Sequence, residues 1–438
     1  MSTDSDSITA NVERAAVEAV GRRHNEFVGL LADLVAVPSI NPAYEPGAES
    51  ASQRALATML DERGVPSELV EIDEERLTTF AEEVGTHGKP FAGRPNLVAT
   101  LGRRDGGGRS LLLNSHIDVV GVAGQAWTND PFAPAFRDGR LYGRGSADAK
   151  GSVAAMAAAI CVIAELGIDL AGSVTLLSVA DEESGGGGTL DWIAAGGHAD
   201  AAIVGEPTGL AVCPATRSSR RFQVTVAGRS AHPGEAYLGV NAVNKAYRCI
   251  EALEALVARL DNDLPHPLWA GQSVQHVFNL QSIHAGVPGG AGHVPDNCVF
   301  EMAAGGTAAE TLDDLEHAVE DALRDAAAAD EWLREHPPVV AWSPRRLQPS
   351  AIDADHPLVH AVSGAWSEAT GGPANVRALS GVTDMRHLVR YAGIPSVNFG
   401  PGGMHVAHGP DEWVAIDDYI TAVEVLALSI IRWCGVAA

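Results

Sequence analysis

The chain has 438 residues, of which 46% are apolar and 20% are charged, a balance typical of globular rather than disordered proteins. Because this length exceeds what one hydrophobic core usually supports, two domains are expected. The net charge of −26 argues against binding to nucleic acids or to anionic lipid surfaces, since phosphates need basic side chains to neutralise them.

The cysteines and the N-terminus bear on the cellular compartment. The five cysteines are scattered and include no C-x-x-C pair, which favours reduced thiols over a disulfide framework. Residues 1–7 are polar and acidic, unlike a signal peptide, and no apolar run approaches the ~18 residues of a membrane span. We therefore expect a cytoplasmic protein with neither membrane nor nucleic acid as a partner.

The first part of the chain predicts two helices and then an alternation of strands and helices. Residues 8–36 have the pattern of one long helix that ends before Pro38, and residues 50–62 of a second that ends before Gly64. Short apolar runs and helical stretches follow at 96–101, 110–114, 152–166, 173–179, 189–195 and 201–204. This order predicts an α/β domain whose mostly parallel sheet is flanked by helices, with ligands collecting beyond the C-terminal ends of the strands.

The pattern changes near residue 218. Residues 221–227 alternate between apolar and polar side chains, as in an antiparallel strand with one solvated face. Further segments predict a helix, two strands, a helix and a strand at 240–260, 273–281, 297–302, 308–329 and 339–342. A β-α-β-β-α-β order predicts a ferredoxin-like insertion. The predicted organisation is a catalytic domain formed by residues 1–217 and 347–438, interrupted by a lid or dimerisation domain at 218–346.

Five short motifs contain side chains that could bind metal ions. Three of them directly follow strand-like runs, which brings them to one edge of the predicted sheet. The motifs are SHIDVV with His116, GRGSADAKG with Asp148, DEESG with Glu182 and Glu183, VGEPT with Glu206, and AHGPDE with His408.

Each motif alone has an ordinary structural explanation. His116 could be a packed histidine, Asp148 a helix cap, Glu206 a turn residue and His408 a loop residue. Within His-x-Asp, however, Asp118 can accept the distal ring N–H and hold the imidazole in one tautomer. Imidazole and carboxylate groups suit zinc, and three carboxylates nearly neutralise two dications. All five motifs in one chain therefore indicate a two-metal hydrolase.

The chain resembles the metallohydrolases that include acetylornithine deacetylase, succinyl-diaminopimelate desuccinylase, aminoacylase and the glutamate carboxypeptidases. The resemblance begins at LLADLVAVPSINP, residues 30–42, and ends at HGPDE, residues 408–412. Residues 127–134 and 138–145 are similar to the acetylornithine deacetylase branch in particular. The resemblance implies a catalytic domain interrupted by an inserted domain. It also implies two bound Zn²⁺ ions, with Co²⁺ or Mn²⁺ as alternatives.

The resemblance also implies roles for individual residues. Asp148 would bridge both ions, His116 and Glu206 would complete one site, and Glu183 and His408 the other. Glu182, beside a ligand, is the candidate general base, which takes the proton of water and passes it to the leaving amine. His232, in SAHP, would reach the active site of a neighbouring subunit in a homodimer and stabilise the oxyanion there. Asn279 matches an asparagine of the inserted domain that many relatives place near the substrate. Thr383 and Arg386 could either meet a substrate carboxylate or be structural.

The sequence departs from the family at one strand. Many relatives carry an arginine linked to substrate binding late in the strand that follows VPDN, but here residues 298–306 read CVFEMAAGG. The function predicted is hydrolysis of the amide bond of a small N-acylated amino acid or related amine. A dipeptidase or carboxypeptidase acting on short peptides is the alternative within the same class, and a metal-free binding homologue is the alternative from another class.

Overall fold

The computed structural model describes residues 2–46, 49–84, 90–103, 106–286 and 292–437. The chain divides into two compact units. The first unit combines Met1–Ala215 with Ala351–Ala438, and the second comprises Thr216–Ser350. The second unit is therefore an insertion in the sequence of the first.

The helices are α1 (Ser2–Arg22), α2 (His24–Ala36), α3 (Glu49–Asp61), α4 (Glu74–Leu77), α5 (Ala81–Val84), α6 (Lys150–Glu165), α7 (Gly187–Ala194), α8 (Ala242–Asp263), α9 (Leu312–Ala329), α10 (Glu331–Glu335), α11 (Pro357–Thr370), α12 (Met385–Tyr391) and α13 (Ile416–Cys434). The strands are β1 (Ser67–Val70), β2 (Asn96–Gly102), β3 (Ser110–His116), β4 (Ala135–Arg137), β5 (Arg140–Tyr142), β6 (Ser173–Val179), β7 (Ala201–Val204), β8 (Ala215–Thr216), β9 (Arg220–Ala227), β10 (Val277–Ala285), β11 (Asn297–Gly305), β12 (Val339–Trp342), β13 (Ser350–Ala351), β14 (Ser396–Asn398) and β15 (Trp413–Ala415). Within the part of the chain that is described, no helix has the length and apolar character needed to cross a bilayer.

A six-stranded sheet forms the centre of the first unit, in the order β1-β2-β6-β3-β7-β14. The pairs β3–β6, β3–β7 and β7–β14 are parallel, whereas β1–β2 and β2–β6 are antiparallel. Every residue of β6 is buried, as expected of a strand covered on both faces. The prediction of a mostly parallel sheet flanked by helices is confirmed.

Successive residues of the strands pack into different cores, because side chains alternate between the two faces of a sheet. Leu111 and Leu113 of β3 belong to the larger core, to which α2, α6 and α13 also contribute. Leu112, between them, belongs to a second core that includes Met385 and Leu388 of α12. Helices therefore cover both faces and leave the strand ends for polar residues.

The register of the parallel strands brings three motif segments to one edge of the sheet. His116 at the end of β3 lies opposite Val179 at the end of β6. Asn114 lies opposite Val204, the last residue of β7. The residues that follow β3, β6 and β7 therefore emerge side by side.

The second unit contains a four-stranded antiparallel sheet in the order β10-β11-β9-β12. Its buried face includes Phe222 and Val224 of β9 and Phe300 of β11, which pack with leucines of α8 and α9. The element order β9-α8-β10-β11-α9-β12 with this strand order is the ferredoxin-like arrangement that the sequence predicts. The inserted α+β domain is confirmed.

Two of the predicted elements that differ from those observed have a visible structural cause. The predicted helix 8–36 is divided at Arg23, which leaves helical geometry (φ −101°, ψ 11°) and forms ion pairs with Glu26 and Glu165. The strand predicted at 273–281 begins at Val277. Arg217 donates hydrogen bonds to the carbonyl groups of Val274 and Gln275, which holds this stretch outside the sheet.

A buried histidine anchors the chain immediately before β10. Nδ1 of His276 lies 2.7 Å from Oδ1 of Asp261 in α8, and Nε2 lies 2.8 Å from Oε1 of Glu310. Burial lowers the pKa of His276, but the two carboxylates outweigh it and raise the pKa above the ordinary value of 6.5. The imidazolium form is therefore favoured in the folded protein.

This arrangement predicts a stability contribution that declines as the pH rises. Below about pH 6.5 His276 is protonated in both the folded and the unfolded chain, so the contribution is complete, and it is lost as the pH passes through the raised folded-state pKa. We expect the difference in thermal midpoint between wild type and His276→Gln to shrink as the pH rises above about 6.5.

His266 provides a control of opposite sign, because burial lowers its pKa. Its contribution is complete above about pH 6.5 and is lost as the pH falls, so the difference for His266→Gln is expected to change below about pH 6.5, where that for His276→Gln stays constant. Thermal denaturation followed by circular dichroism measures both differences. A difference for His276→Gln that does not vary with pH would contradict the prediction.

Candidate active site

The five candidate ligands come from five segments of the first unit. His116 is the last residue of β3, and Asp148 lies in the loop between β5 and α6. Glu183 lies in the turn after β6, and Glu206 follows β7. His408 lies in the loop before β15. Residues up to 292 positions apart in sequence (His116 to His408) thus belong to one folded unit.

Asp148 lies between the two histidines. Nε2 of His116 is 3.1 Å from its Oδ1, and Nε2 of His408 is 3.3 Å from its Oδ2. The same nitrogen of His408 lies 3.2 Å from Oε2 of Glu183. His116, Asp148 and Glu206 form one group, and Asp148, Glu183 and His408 another, with ligand atoms within 4.8 Å of one another in each. One carboxylate is shared by two groups that could each hold a metal ion.

The cluster favours positive charge. Hydrogen bonds with Asp148 and Glu183 raise the pKa of His408 to about 11. Burial raises the pKa values of Glu183 and Glu206, because water no longer solvates their carboxylates. Oε1 of Glu183 is buried without a hydrogen-bond partner among the described residues. Imidazole nitrogen, carboxylate oxygen and an unpartnered buried oxygen fit divalent cations.

Asp118 orients both His116 and the turn after β6. Nδ1 of His116 lies 2.9 Å from the backbone carbonyl of Asp118 and 3.6 Å from its carboxylate. Because a carbonyl only accepts, Nδ1 carries the hydrogen of the neutral ring, and Nε2 offers its lone pair to a cation. The carboxylate accepts the N–H groups of Glu182 and Glu183, both at 3.2 Å, and an amide N–H of Asn41 at 2.7 Å.

In the turn after β6, two adjacent glutamates have different surroundings. Asp181 has a positive φ of 73° and accepts hydrogen bonds from Ser184 at 2.6 Å and Arg94 at 2.9 Å. Glu183 belongs to a ligand group, whereas Glu182 belongs to neither. Burial raises the pKa of Glu182 well above its ordinary value, although His116 opposes this shift. A carboxyl group with a raised pKa next to a metal site suits proton transfer near neutral pH.

Comparison with known proteins identifies the family. Residues 112–432 match the family described as Peptidase family M20/M25/M40. This match covers most of the chain and all five ligand segments. The protein belongs to peptidase family M20/M25/M40.

Relatives of this M20 protein include enzymes that remove acyl groups. It is 29% identical over 364 residues to N-formyl-4-amino-5-aminomethyl-2-methylpyrimidine deformylase of Bacillus subtilis, covering 79% of this chain and 84% of the relative. It is 32% identical over 350 residues to succinyl-diaminopimelate desuccinylase of Rhodospirillum centenum, covering 77% and 84%. The fold is similar to that of human carnosine dipeptidase 1, with a TM-score of 0.70, 17% identity and coverage of 97% and 99%. The resemblance predicted from the motifs is confirmed, and the protein is a hydrolase of amide bonds.

In this M20 protein, two residues that were candidates for substrate contact form hydrogen bonds within the protein. The hydroxyl of Thr383 donates to Oδ1 of Asn398 at 2.8 Å. The buried guanidinium of Arg386 donates to the carbonyl of Thr383 at 2.8 Å and to that of Gly185 at 3.4 Å. Arg386 therefore supports the turn that carries Glu182.

The other two predicted residues lie in the second unit. His232 is exposed and precedes a short 3₁₀ helix, Pro233–Leu238, where its Nδ1 accepts the N–H of Gly234 at 3.2 Å. Asn279 is exposed on β10, an edge strand. Neither side chain is buried by the packing of its own unit.

Two supporting residues, Asn41 and Glu412, were not predicted from the sequence. Asn41 is fully buried and binds the carboxylate of Asp118, as described above. Glu412 is also fully buried and accepts the N–H of Asp148 at 3.0 Å. Their position in segments 30–42 and 408–412, which carry the family resemblance, is the sequence feature that could have indicated them, since in each a polar residue follows a proline-containing turn.

Proposed function

We propose that this M20 hydrolase removes a small acyl group from an N-acylated amino acid or related amine, with two zinc ions as cofactors. His116, Asp148, Glu183, Glu206 and His408 would hold the ions. The observation that carries the proposal is the carboxylate of Asp148, which two candidate ligand groups share. Ions bound there would supply Lewis acidity, which polarises an amide carbonyl and makes water more acidic.

Residues of the chain would transfer the protons and orient the groups that react. Glu182, outside both ligand groups, would accept the proton of the attacking water and return it to the leaving nitrogen. Asp118 would hold His116 in the tautomer that presents Nε2, and would hold the Glu182–Glu183 turn through two backbone N–H groups. We also propose that the protein is a homodimer in which His232 of one subunit donates to the developing oxyanion in the other.

The substrate class is supported by what the relatives are named for. Both the Bacillus subtilis deformylase and the Rhodospirillum centenum desuccinylase are named for removal of a small acyl group. The amines in these names differ, a substituted pyrimidine in one and diaminopimelate in the other. The names therefore support a small acyl group as the part removed better than they support any particular amine.

Metal removal and a substrate panel test the proposal together. Purified protein is expected to contain two divalent ions per chain, to lose hydrolysis after dialysis against a chelator, and to regain it with Zn²⁺, Co²⁺ or Mn²⁺. The panel compares N-formyl, N-acetyl and N-succinyl amines with dipeptides of matched size, and each hydrolysis is followed by the amine released.

The outcomes separate the alternatives. Faster release from the acylated amines than from the dipeptides is the expected result. If only the dipeptides were hydrolysed, the protein would be a dipeptidase rather than a deacylase. Full activity in metal-free protein would refute the metal mechanism, and absence of both metal and hydrolysis would favour a binding homologue.

A further inference from the structure

A buried ion pair lies directly behind the candidate metal ligands. Glu412 has no exposed surface and the side chain of Arg144 is 1% exposed. Oε2 of Glu412 lies 2.6 Å from Nη1 of Arg144. Burying two charges is costly unless each is fully hydrogen-bonded, so the further partners of this pair indicate what it does.

Glu412 holds the backbone at the shared ligand. Its second oxygen, Oε1, accepts the N–H of Ala147 at 2.9 Å and the N–H of Asp148 at 3.0 Å. A charged acceptor strengthens both bonds, because the N–H dipoles point at a full negative charge. The Cα position of Asp148, and hence the direction of its carboxylate, depends on Glu412.

Arg144 holds the segment that carries the other histidine. Its Nη2 lies 3.3 Å from the carbonyl of His408, and its Nη1 donates to the carbonyl of Gly409 at 3.2 Å. Nη2 also donates to Oε1 of Gln125 at 2.8 Å, and Nε2 of Gln125 donates to the same His408 carbonyl at 2.9 Å. The backbone at His408 is therefore fixed from two directions.

His408 needs such support more than the other candidate ligands do. Its side chain is 54% exposed, whereas those of Asp148 and Glu183 are 8% and 6% exposed, so packing alone does not orient it. Its φ of 62° lies in the left-handed region, which residues other than glycine adopt infrequently and where surrounding contacts must hold them. The hydrogen bonds to its carbonyl group are such a constraint.

We propose that the Arg144–Glu412 ion pair positions Asp148 and His408 for metal binding, Glu412 through the backbone of Asp148 and Arg144 through the backbone of His408. The inference rests on the metal site of the proposed function. It assigns positioning roles to both residues, neither of which contacts a reacting atom.

Metal binding by the resting protein tests the inference without using activity. Glu412→Gln keeps the shape of the side chain but removes the charge that faces Arg144 and both N–H groups. We expect it to weaken Zn²⁺ binding by about 10–100-fold, the usual effect of losing a partner of a ligand. Competition with a chromogenic chelator measures the affinity, and the visible spectrum of the Co²⁺-loaded protein reports the ligand geometry.

Arg144→Lys is the second variant. It retains a positive charge near Glu412 but has one nitrogen in place of the fork that reaches His408 and Gly409. We expect preferential weakening of the ion held by Asp148, Glu183 and His408, so that one ion is lost at a chelator concentration at which wild type retains two. If Glu412→Gln does not fold, Arg144→Lys provides the same comparison.

Glu13→Gln is the matched control. Glu13 forms a two-bonded ion pair with Arg432, at 2.6 Å and 2.9 Å, between α1 and α13. Loss of this pair is expected to leave Zn²⁺ affinity and the Co²⁺ spectrum unchanged.

The outcomes distinguish this inference from the proposed function. Wild-type affinity and spectrum in both site variants, or an equal loss of affinity in Glu13→Gln, would overturn the positioning role. Failure of wild type itself to bind two ions would refute the proposed metal site instead.

Discussion

Replacing Glu182 by Gln is expected to lower kcat by about 10²–10⁴-fold while two metal ions stay bound. The amide cannot accept the proton of the attacking water, but Glu182 belongs to neither candidate ligand group, so metal binding has no reason to change. Steady-state kinetics on the best substrate of the panel measures the first effect, and metal analysis of the same preparation measures the second.

Glu183→Gln is the matched comparison, because it makes the same change at the next residue. Oε2 of Glu183 lies 3.2 Å from His408, and Glu183 belongs to the group formed with Asp148. We expect this variant to lose metal as well as activity. Equal metal loss in the two variants would show that the two glutamates share one role, and the assignment of Glu182 as the base would then be wrong.

Replacing His232 by Ala is expected to lower kcat by about 10²–10³-fold with the metal content intact. This is the usual cost of removing one donor to an oxyanion. His232 is exposed in its own unit and lies in the inserted domain, so its substitution has no reason to disturb the ligands of the first unit. Kinetics and metal analysis again separate the two effects.

A mixing experiment tests whether His232 acts on the partner subunit. If each site combines Glu182 of one subunit with His232 of the other, a mixed dimer of Glu182→Gln and His232→Ala contains one intact site. Equal mixing with free exchange makes half of the dimers mixed, so about a quarter of the wild-type activity is expected to return. Each variant mixed with itself is the control. Exchange without recovery of activity, or a fully active monomer, would exclude action across subunits.

Much of the fold could be predicted because local patterns decide it. The apolar runs that become β3, β6 and β7 are short and lie between helical stretches, and parallel strands require such crossovers. The alternation in β9 predicted a strand with one solvated face, and Phe222, Val224 and Val226 are indeed buried. The break at Arg23 and the late start of β10 escaped prediction, because ion pairs and hydrogen bonds with residues distant in sequence decide both.

The candidate site could be predicted in part for the same reason. Ligands gather beyond the C-terminal ends of parallel strands, so the strand pattern alone predicts that the segments of His116, Glu183 and Glu206 lie together. Asp148 and His408 follow no strand of the central sheet, and only the resemblance to a family indicated their place. The sequence left a substrate contact and a structural role open for Arg386, and its hydrogen bond to Gly185 is a contact that no local pattern predicts.

The sequence by itself determined the residue types, their order and the elements that carry them, because hydrophobic periodicity and turn residues act over a few positions. The sequence was sufficient to predict the family, the inserted domain and the chemical character of the candidate ligands. Only the tertiary structure decided that one carboxylate, Asp148, lies between His116 and His408, and that Glu412 and Arg144 hold the backbone behind it. The contacts of Asp148 with His408 and Glu412, and that of Arg144 with His408, join residues more than 250 positions apart in sequence. Their geometry therefore follows from how the whole domain packs.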